Sequence, residues 1–233
     1  MVYKSKYPVF FVTVDIVILT IRDDALCALV VERGEEPFRG RWALPGGFVE
    51  PEEDLYDAAV RELREETDVS TGDVRLEQLA SFGAPDRDPR HRVVSVAWLA
   101  VLPHGPDPTA GSDAAGAEWK PVDYLLRRGR LAFDHRAILT EGVERARSKL
   151  EYSGLATDFV DEEFTVAELR SVYEVMWNRR LDPGNFHRKV TRTPGFVEPT
   201  GHSLSRGPGR PAALFRAGGA EVLFPPLSRS TFG

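Results

Sequence analysis

Three glutamates, Glu62, Glu65 and Glu66, stand at i, i+3 and i+4. On an α-helix that spacing puts all three carboxylates on one face. Leu55, Ala58, Ala59 and Leu63 recur at helical intervals, so residues 53–67 read as an amphipathic helix. Like charges so close repel and weaken a bare helix. A hard divalent cation such as Mg2+ or Mn2+ reverses that sign, because it takes oxygen ligands and bridges to phosphates. Arg61 stands four residues before Glu65 and can hold its carboxylate in place. Leu44-Pro45-Gly46-Gly47 precedes the helix, and glycines there let the backbone bend sharply and bring a carbonyl close to a metal.

The elements that must position these groups follow from pattern. Residues 9–21 and 26–33 are apolar and β-branched and read as two strands split by the turn Arg22-Asp23-Asp24. Residues 74–82 and 92–102 read as further strands, the second apolar enough to be central. The polar loop between them, APDRDPRHR, supplies Arg87 and Arg90, which suit either a diphosphate or ribose contact or a surface ion pair. A Pro/Gly/Ala-rich stretch at 103–116 reads as a turn or loop, and a helix of four to six turns lies within 131–155. His135 near its start is read as a local helix-start contact, and Trp42, Trp98 and Trp119 as core residues.

A chain of 233 residues holds one large domain or two small ones, and its 42% hydrophobic and 28% charged residues are ordinary for a globular protein. The single cysteine, Cys27, excludes an internal disulfide and reads as a buried strand residue, which suits a reducing cytoplasm. No signal peptide is visible, and the run VFFVTVDIVILTI is too short and too β-branched for a membrane span. The net charge of −6 is unevenly spread. Residues 165–216 carry nine Lys/Arg against four Asp/Glu, a balance of +5, which leaves −11 on the rest of the chain. An acidic body with a basic C-terminal segment points to a polyanion as that segment's partner.

The acidic connector DFVDEE (158–163) opens a second module. Thr165 followed three residues later by Glu168 is a capping box, and VAELRSVYEVMW places Val166, Leu169, Val172, Tyr173 and Met176 at core spacing. Residues 178–181 turn the chain, and Asp182-Pro183 supplies an N-cap and a favoured first helical residue. In the next helix Phe186 and Val190 face inward, leaving Asn185, His187, Arg188, Lys189 and Arg192 for other faces. Two short helices joined by a tight turn, the second polar and basic, form a helix-turn-helix. GFVEPT and PAALFRA then read as wing strands around a basic tip, where Arg206 and Arg210 can reach a phosphate or a minor groove.

Residues 47–69 fit G-x5-E-x7-R-E-U-x-E-E-x-G-U (U apolar) at Gly47, Glu53, Arg61, Glu62, Leu63, Glu65, Glu66 and Val69; Asp68 stands where the pattern has glycine. This resembles the Nudix box. The resemblance implies an α/β/α sandwich, a metal held by Glu62, Glu65, Glu66 and the Gly46 carbonyl, Glu53 beside them and Arg61 orienting the carboxylates. In family hydrolases a glutamate, here Glu65 or Glu66, serves as base. A Nudix domain (1–157) followed by a winged helix-turn-helix (158–233) is similar to the NrtR family of transcriptional regulators. FTVAELRSVYEVMWNRRLDPGNFHRKV, GRPAALFR, RDPRHRVVSVAWLAVL and LAFDHRAIL carry that likeness. It implies a cytoplasmic homodimer on double-stranded operator DNA of NAD biosynthesis or salvage genes, released by ADP-ribose. Arg188, Lys189, Arg192 and Arg206 would hold phosphate, and Asn185 and His187 would touch bases. The alternative is a Mg2+-dependent ADP-ribose pyrophosphatase with an accessory C-terminal domain.

Overall fold

A computed structural model describes residues 6–67, 74–103, 105, 116–205 and 211–229, with the side chains of 66 and 67 excepted. Strand β1 (Phe11–Arg22) turns at Asp23 and Asp24, both at positive φ, into β2 (Ala25–Glu32). That is the tight hairpin expected of the RDD turn, since Asp tolerates left-handed backbone better than most side chains. β3 (Trp42–Ala43) pairs with β2, and β4 (Gly46–Phe48) pairs antiparallel with β1. Helix α1 (Leu55–Thr67) follows, starting two residues later than expected because the Asp54 carbonyl accepts the Ala58 N–H at 2.9 Å.

β5 (Glu77–Phe82) and β6 (Val93–Val101) are antiparallel, and β6 lies against β1, giving the path β3-β2-β1-β6-β5. β7 (Ala117–Pro121) pairs with β2 and leads into α2 (Val122–Arg127). The bonds Phe11 N–H to Arg92 C=O and Leu102 N–H to Leu19 C=O make β1 and β6 parallel. That register puts Trp98 on the face of Ile16 and leaves Val17 on the other. Tyr56 of α1 packs edge-on against Trp98, ring centroids 5.7 Å apart. Gly142 of α3 (His135–Tyr152) lies so close to Val17 that a Cβ would collide with it. The two long helices therefore cover opposite faces, which is the expected α/β/α sandwich. Its core is fully buried Ile16, Val17, Ile18, Leu29, Ala58, Ala59 and Leu63, with Cys27 buried in β2. α3 begins at His135 rather than Leu131, because Ala132 and Arg130 are hydrogen-bonded to Trp42 as a strand-like bridge.

The described residues fall into two compact units, one lying within 1–18, 28–100 and 106–142, the other within 19–27, 101–105 and 143–233. In the second, a 3-10 turn (Gly154–Phe159) and β8 (Phe164–Thr165) precede α4 (Val166–Trp177), α5 (Pro183–Arg192), β9 (Val197–Leu204) and β10 (Ala212–Ala217). β8, β10 and β9 form a three-stranded antiparallel sheet beside the two helices. The capping box forms as read: Thr165 Oγ1 accepts the Glu168 N–H and the Glu168 carboxylate accepts the Thr165 N–H at 2.8 Å. Asp182 Oδ1 accepts the Asn185 N–H at 2.7 Å ahead of Pro183. Tyr173, Phe186 and Phe196 are buried at the centre, with Tyr173 donating to the Leu150 carbonyl at 3.0 Å.

Candidate functional site

A cleft of about 620 Å3 opens over β1, β4 and α1, lined by Asp15, Gly46, Gly47, Glu62, Glu65, Arg87, Arg90 and His135, among others. Its acidic wall is assembled by one arginine. Arg61 donates through Nε and Nη2 to both oxygens of Glu53 (3.1 and 2.8 Å) and through Nη1 to Glu62 Oε1 (2.7 Å). It also donates to the Phe48 carbonyl (3.2 Å) and lies 3.5 Å from Glu65 Oε2. The expected tie to Glu65 is thus the longest of four. Bidentate bonding to Glu53, with Glu62 adding to it, holds the Arg61 charge firmly, and Arg61 in turn keeps Glu53 below the usual carboxylate range. Burial pushes the Glu62 carboxyl up against the pull of Arg61, with Glu65 and Glu53 adding repulsion.

The two glycines are fixed by contact. Gly46 has φ +154° and sits where a Cβ would run into the Val14 carbonyl and Asp15; a Cβ on Gly47 would run into the Glu62 carboxylate. β4 can therefore lie flat on β1, register Asp15↔Gly46 and Val14↔Gly47, with Glu62 against it, only because neither residue has a side chain. Among the described residues no three acidic, His or Cys groups are gathered as a ready metal cage. Glu62, Glu65 and the Gly46 backbone line one cleft and are hard oxygen donors, so the chemistry of the set fits Mg2+ or Mn2+. The Glu66 side chain and Asp68 lie outside the described residues.

The floor carries a network invisible to local pattern. Asp15, buried in β1, accepts from Ser95 Oγ and from Arg87 Nη2 (3.2 Å), and His135 Nε2 lies 3.4 Å away. Arg87 also forks onto Asp134 at 3.0 and 2.8 Å. Burial disfavours the Arg87 charge, but Asp134 and Asp15 outweigh it. Arg87 is a buried floor residue, so the surface-pair reading does not apply to it. His135 is no local helix-start contact: its Nδ1 accepts the Leu44 N–H at 2.9 Å, across 91 residues. That bond fixes the proton on Nε2, facing Asp15. Burial holds its pKa below normal, so the ring is neutral. Arg90 forks onto Asp88 (3.1 and 2.8 Å) at the rim, between the rings of Phe48 and Phe133. Sequence reading missed Asp15, Ser95, Asp134 and Arg33; a lone acid inside an apolar strand was the one signal available, for Asp15.

On α5, His187, Arg188 and Arg192 are exposed, and Asn185 and Lys189 are half-buried. Arg188 Nη2 donates to Asn185 Oδ1 at 2.8 Å, which leaves the Asn185 amide hydrogens for an acceptor. Burial, with Arg188 adding, lowers the Lys189 pKa. Arg170 and Arg180 face Glu174, and Arg216 faces Glu198. Glu174 also takes the Leu181 N–H at 2.8 Å and so fastens the turn between α4 and α5. Arg206 and Arg210 lie outside the described residues. Trp98 is core as read; Trp42 is half-buried under Lys120.

Comparison with known proteins finds two family models in the chain. The family model of the NUDIX domain matches residues 9–141, and that of the NrtR DNA-binding winged helix domain matches 156–217. The ADPR responsive transcriptional repressor NtrR of Acinetobacter baylyi is 34% identical over 215 residues, 91% of this chain and 84% of its own. An ADP-ribose pyrophosphatase of Methanocaldococcus jannaschii is 40% identical over 113 residues, 48% of this chain and 63% of its own. NrtR of Shewanella oneidensis, solved with a 27mer DNA, superposes with a TM-score of 0.79 at 31% identity, covering 93% of this chain and 99% of that one. Its NUDIX domain, solved with ADP ribose, superposes with a TM-score of 0.56 at 33% identity, covering 61% of this chain and 93% of that one. A Nudix α/β sandwich and an NrtR winged helix in one chain, matched over more than nine-tenths of its length by these regulators, place the protein in the NrtR family of Nudix-related transcriptional regulators.

Proposed function

We propose that this protein is a transcriptional repressor controlled by ADP-ribose. Residues 158–233 grip double-stranded operator DNA, residues 1–157 bind ADP-ribose, and binding the nucleotide releases the DNA. The observation that carries this reading is the joining, in one chain, of a cleft walled by carboxylates and arginines to a capped helix-turn-helix with an exposed cationic second helix. The repressor of A. baylyi and the DNA and ADP-ribose complexes of S. oneidensis NrtR supply the chemistry by relationship. The acting form is a cytoplasmic homodimer on the promoters of NAD biosynthesis or salvage genes. Among the described residues no helix is long and apolar enough to cross a membrane.

In the cleft, Glu62, Glu65, Glu66 and the Gly46 carbonyl would hold Mg2+ or Mn2+, which supplies charge neutralisation at the diphosphate. Glu53 and Arg61 position those carboxylates. Arg90 borders the ligand from the rim, and Arg87, held by Asp134 and Asp15, shapes the floor. On DNA, Arg188, Lys189, Arg192, Arg206 and Arg210 neutralise phosphate, while Asn185 and His187 meet base edges. The test is binding to NAD-gene promoter DNA against scrambled DNA at physiological salt. A preference of at least about a thousandfold is expected of a specific regulator, and equal affinity for the two removes the reading.

A second reading, slow hydrolysis of ADP-ribose to AMP and ribose 5-phosphate, is favoured by the intact Arg61–Glu53–Glu62–Glu65 assembly. Glu65 or Glu66 would then act as base. If Glu65→Gln and Glu66→Gln leave AMP release unchanged, the cleft is not where turnover occurs.

A further inference from the structure

Three guanidinium groups line the cleft, and they differ in what holds them. Arg87 is gripped by two carboxylates, Asp134 and Asp15, and Arg90 by both oxygens of Asp88. Arg33 has no carboxylate within ion-pair distance among the described residues. Its Nε donates to the Pro37 carbonyl at 2.9 Å, and its guanidinium lies over the Phe133 ring, 4.8 Å from the centroid. Phe133 itself is at φ +48°, an uncommon backbone for an aromatic residue. Phe38 packs edge-on against it at 4.9 Å and His135 tilts against it at 5.3 Å. The ring that positions Arg33 is therefore fixed from several sides. Burial and the nearby Arg90 both disfavour the Arg33 charge, while Asp88, Glu35 and Glu36 compensate only at longer range. A half-buried cation beside a second cation, in a cleft and without its own counter-ion, is a built receptor for an anion.

We infer that Arg33 is the cation that directly binds the ligand's diphosphate, with Arg90 beside it, and that Arg87 does not. This rests on the ADP-ribose reading. The diphosphate is the charged part of ADP-ribose, so a cation that selects this ligand meets it there. Arginine suits the task because its fork matches two phosphate oxygens at once.

The experiment is calorimetric titration of ADP-ribose with Mg2+ into the full chain and its Arg33→Gln and Arg33→Lys variants, each at low and high salt. Loss of a charge-assisted contact of this kind weakens binding by about ten- to a hundredfold. Arg33→Gln is expected to show that loss and a shallower salt dependence, with Arg33→Lys intermediate. Binding by Arg33→Gln within about twofold of the parent would overturn the inference while leaving the ADP-ribose reading intact. A loss of equal size at every salt concentration would also overturn it, because Arg33 would then act only by holding the loop at Pro37. If the parent chain itself does not bind ADP-ribose, the underlying reading falls first and the inference with it.

Discussion

Replacing Glu174 with alanine should loosen the helix-turn-helix from within. Glu174 is buried in α4, and its carboxylate accepts the Leu181 N–H at 2.8 Å. A hydrogen bond from a buried amide to a charged acceptor contributes about 1.5–3 kcal/mol, and without it the Leu181 amide has lost its partner. The Arg180 contact at 3.2 Å adds little, under about 0.5 kcal/mol, because that guanidinium is 95% exposed. Arg170 Nε, at 3.5 Å, is an ion-pair neighbour and makes no hydrogen bond to Glu174. Glu174→Ala should thus cost about 2–3 kcal/mol locally, or roughly 30- to 150-fold in the opening equilibrium of the turn. Hydrogen exchange at the Leu181 amide reads this directly. Glu174→Gln keeps an oxygen for that amide and should cost only about 1 kcal/mol, near fivefold. Unchanged exchange in Glu174→Ala, or equal effects of the two variants, would refute the assignment of Glu174 as the fastening of the turn.

Other substitutions probe the cleft and the DNA face. Gly46→Ala should lift β4 from β1, since a Cβ meets the Val14 carbonyl and Asp15; urea unfolding should show a loss of about 2 kcal/mol or more, together with lost ADP-ribose affinity. His135 gives a pH dependence whose sign follows from its lowered pKa. As pH falls through about 6.5 the unfolded chain takes up a proton that the buried ring refuses, so stability is full above that pH and lost below it, at up to about 1.4 kcal/mol per pH unit. The stability gap between the parent chain and His135→Asn, measured by urea unfolding from pH 8 to 5, should therefore narrow below pH 6.5. Arg188→Ala should weaken binding to specific and scrambled DNA alike and reduce the slope of log K against log salt by about two per dimer, about one for each copy.

What was legible in the sequence was what is local or periodic. The α1 helix, the hairpin at Asp23-Asp24, the Thr165 capping box and the Asp182-Pro183 start each rest on residues within four positions of one another. Arg61 as the orienter of carboxylates was legible for the same reason, although its main partner is Glu53, eight residues before it. The cleft floor was not legible. Asp15 meets Ser95 across 80 residues and Arg87 across 72, and the Leu44 N–H meets His135 across 91. Only the folded sheet brings such pairs together, and nothing in their spacing announces it. The same distance explains why Arg87 and Arg90 drew attention in a conspicuous Arg-rich loop, while Arg33, at the end of an apolar strand, did not. Glu174 looked like one more helix acid, because its partner Leu181 lies beyond a turn.

The most direct measurement of the central claim is fluorescence anisotropy of labelled NAD-gene promoter DNA bound to the full chain, titrated with ADP-ribose in the presence of Mg2+. The account predicts that anisotropy falls to the free-DNA value as the nucleotide saturates the cleft, and that scrambled DNA never forms the tight complex. A promoter complex that persists at saturating ADP-ribose, with calorimetry showing the nucleotide bound, would contradict it.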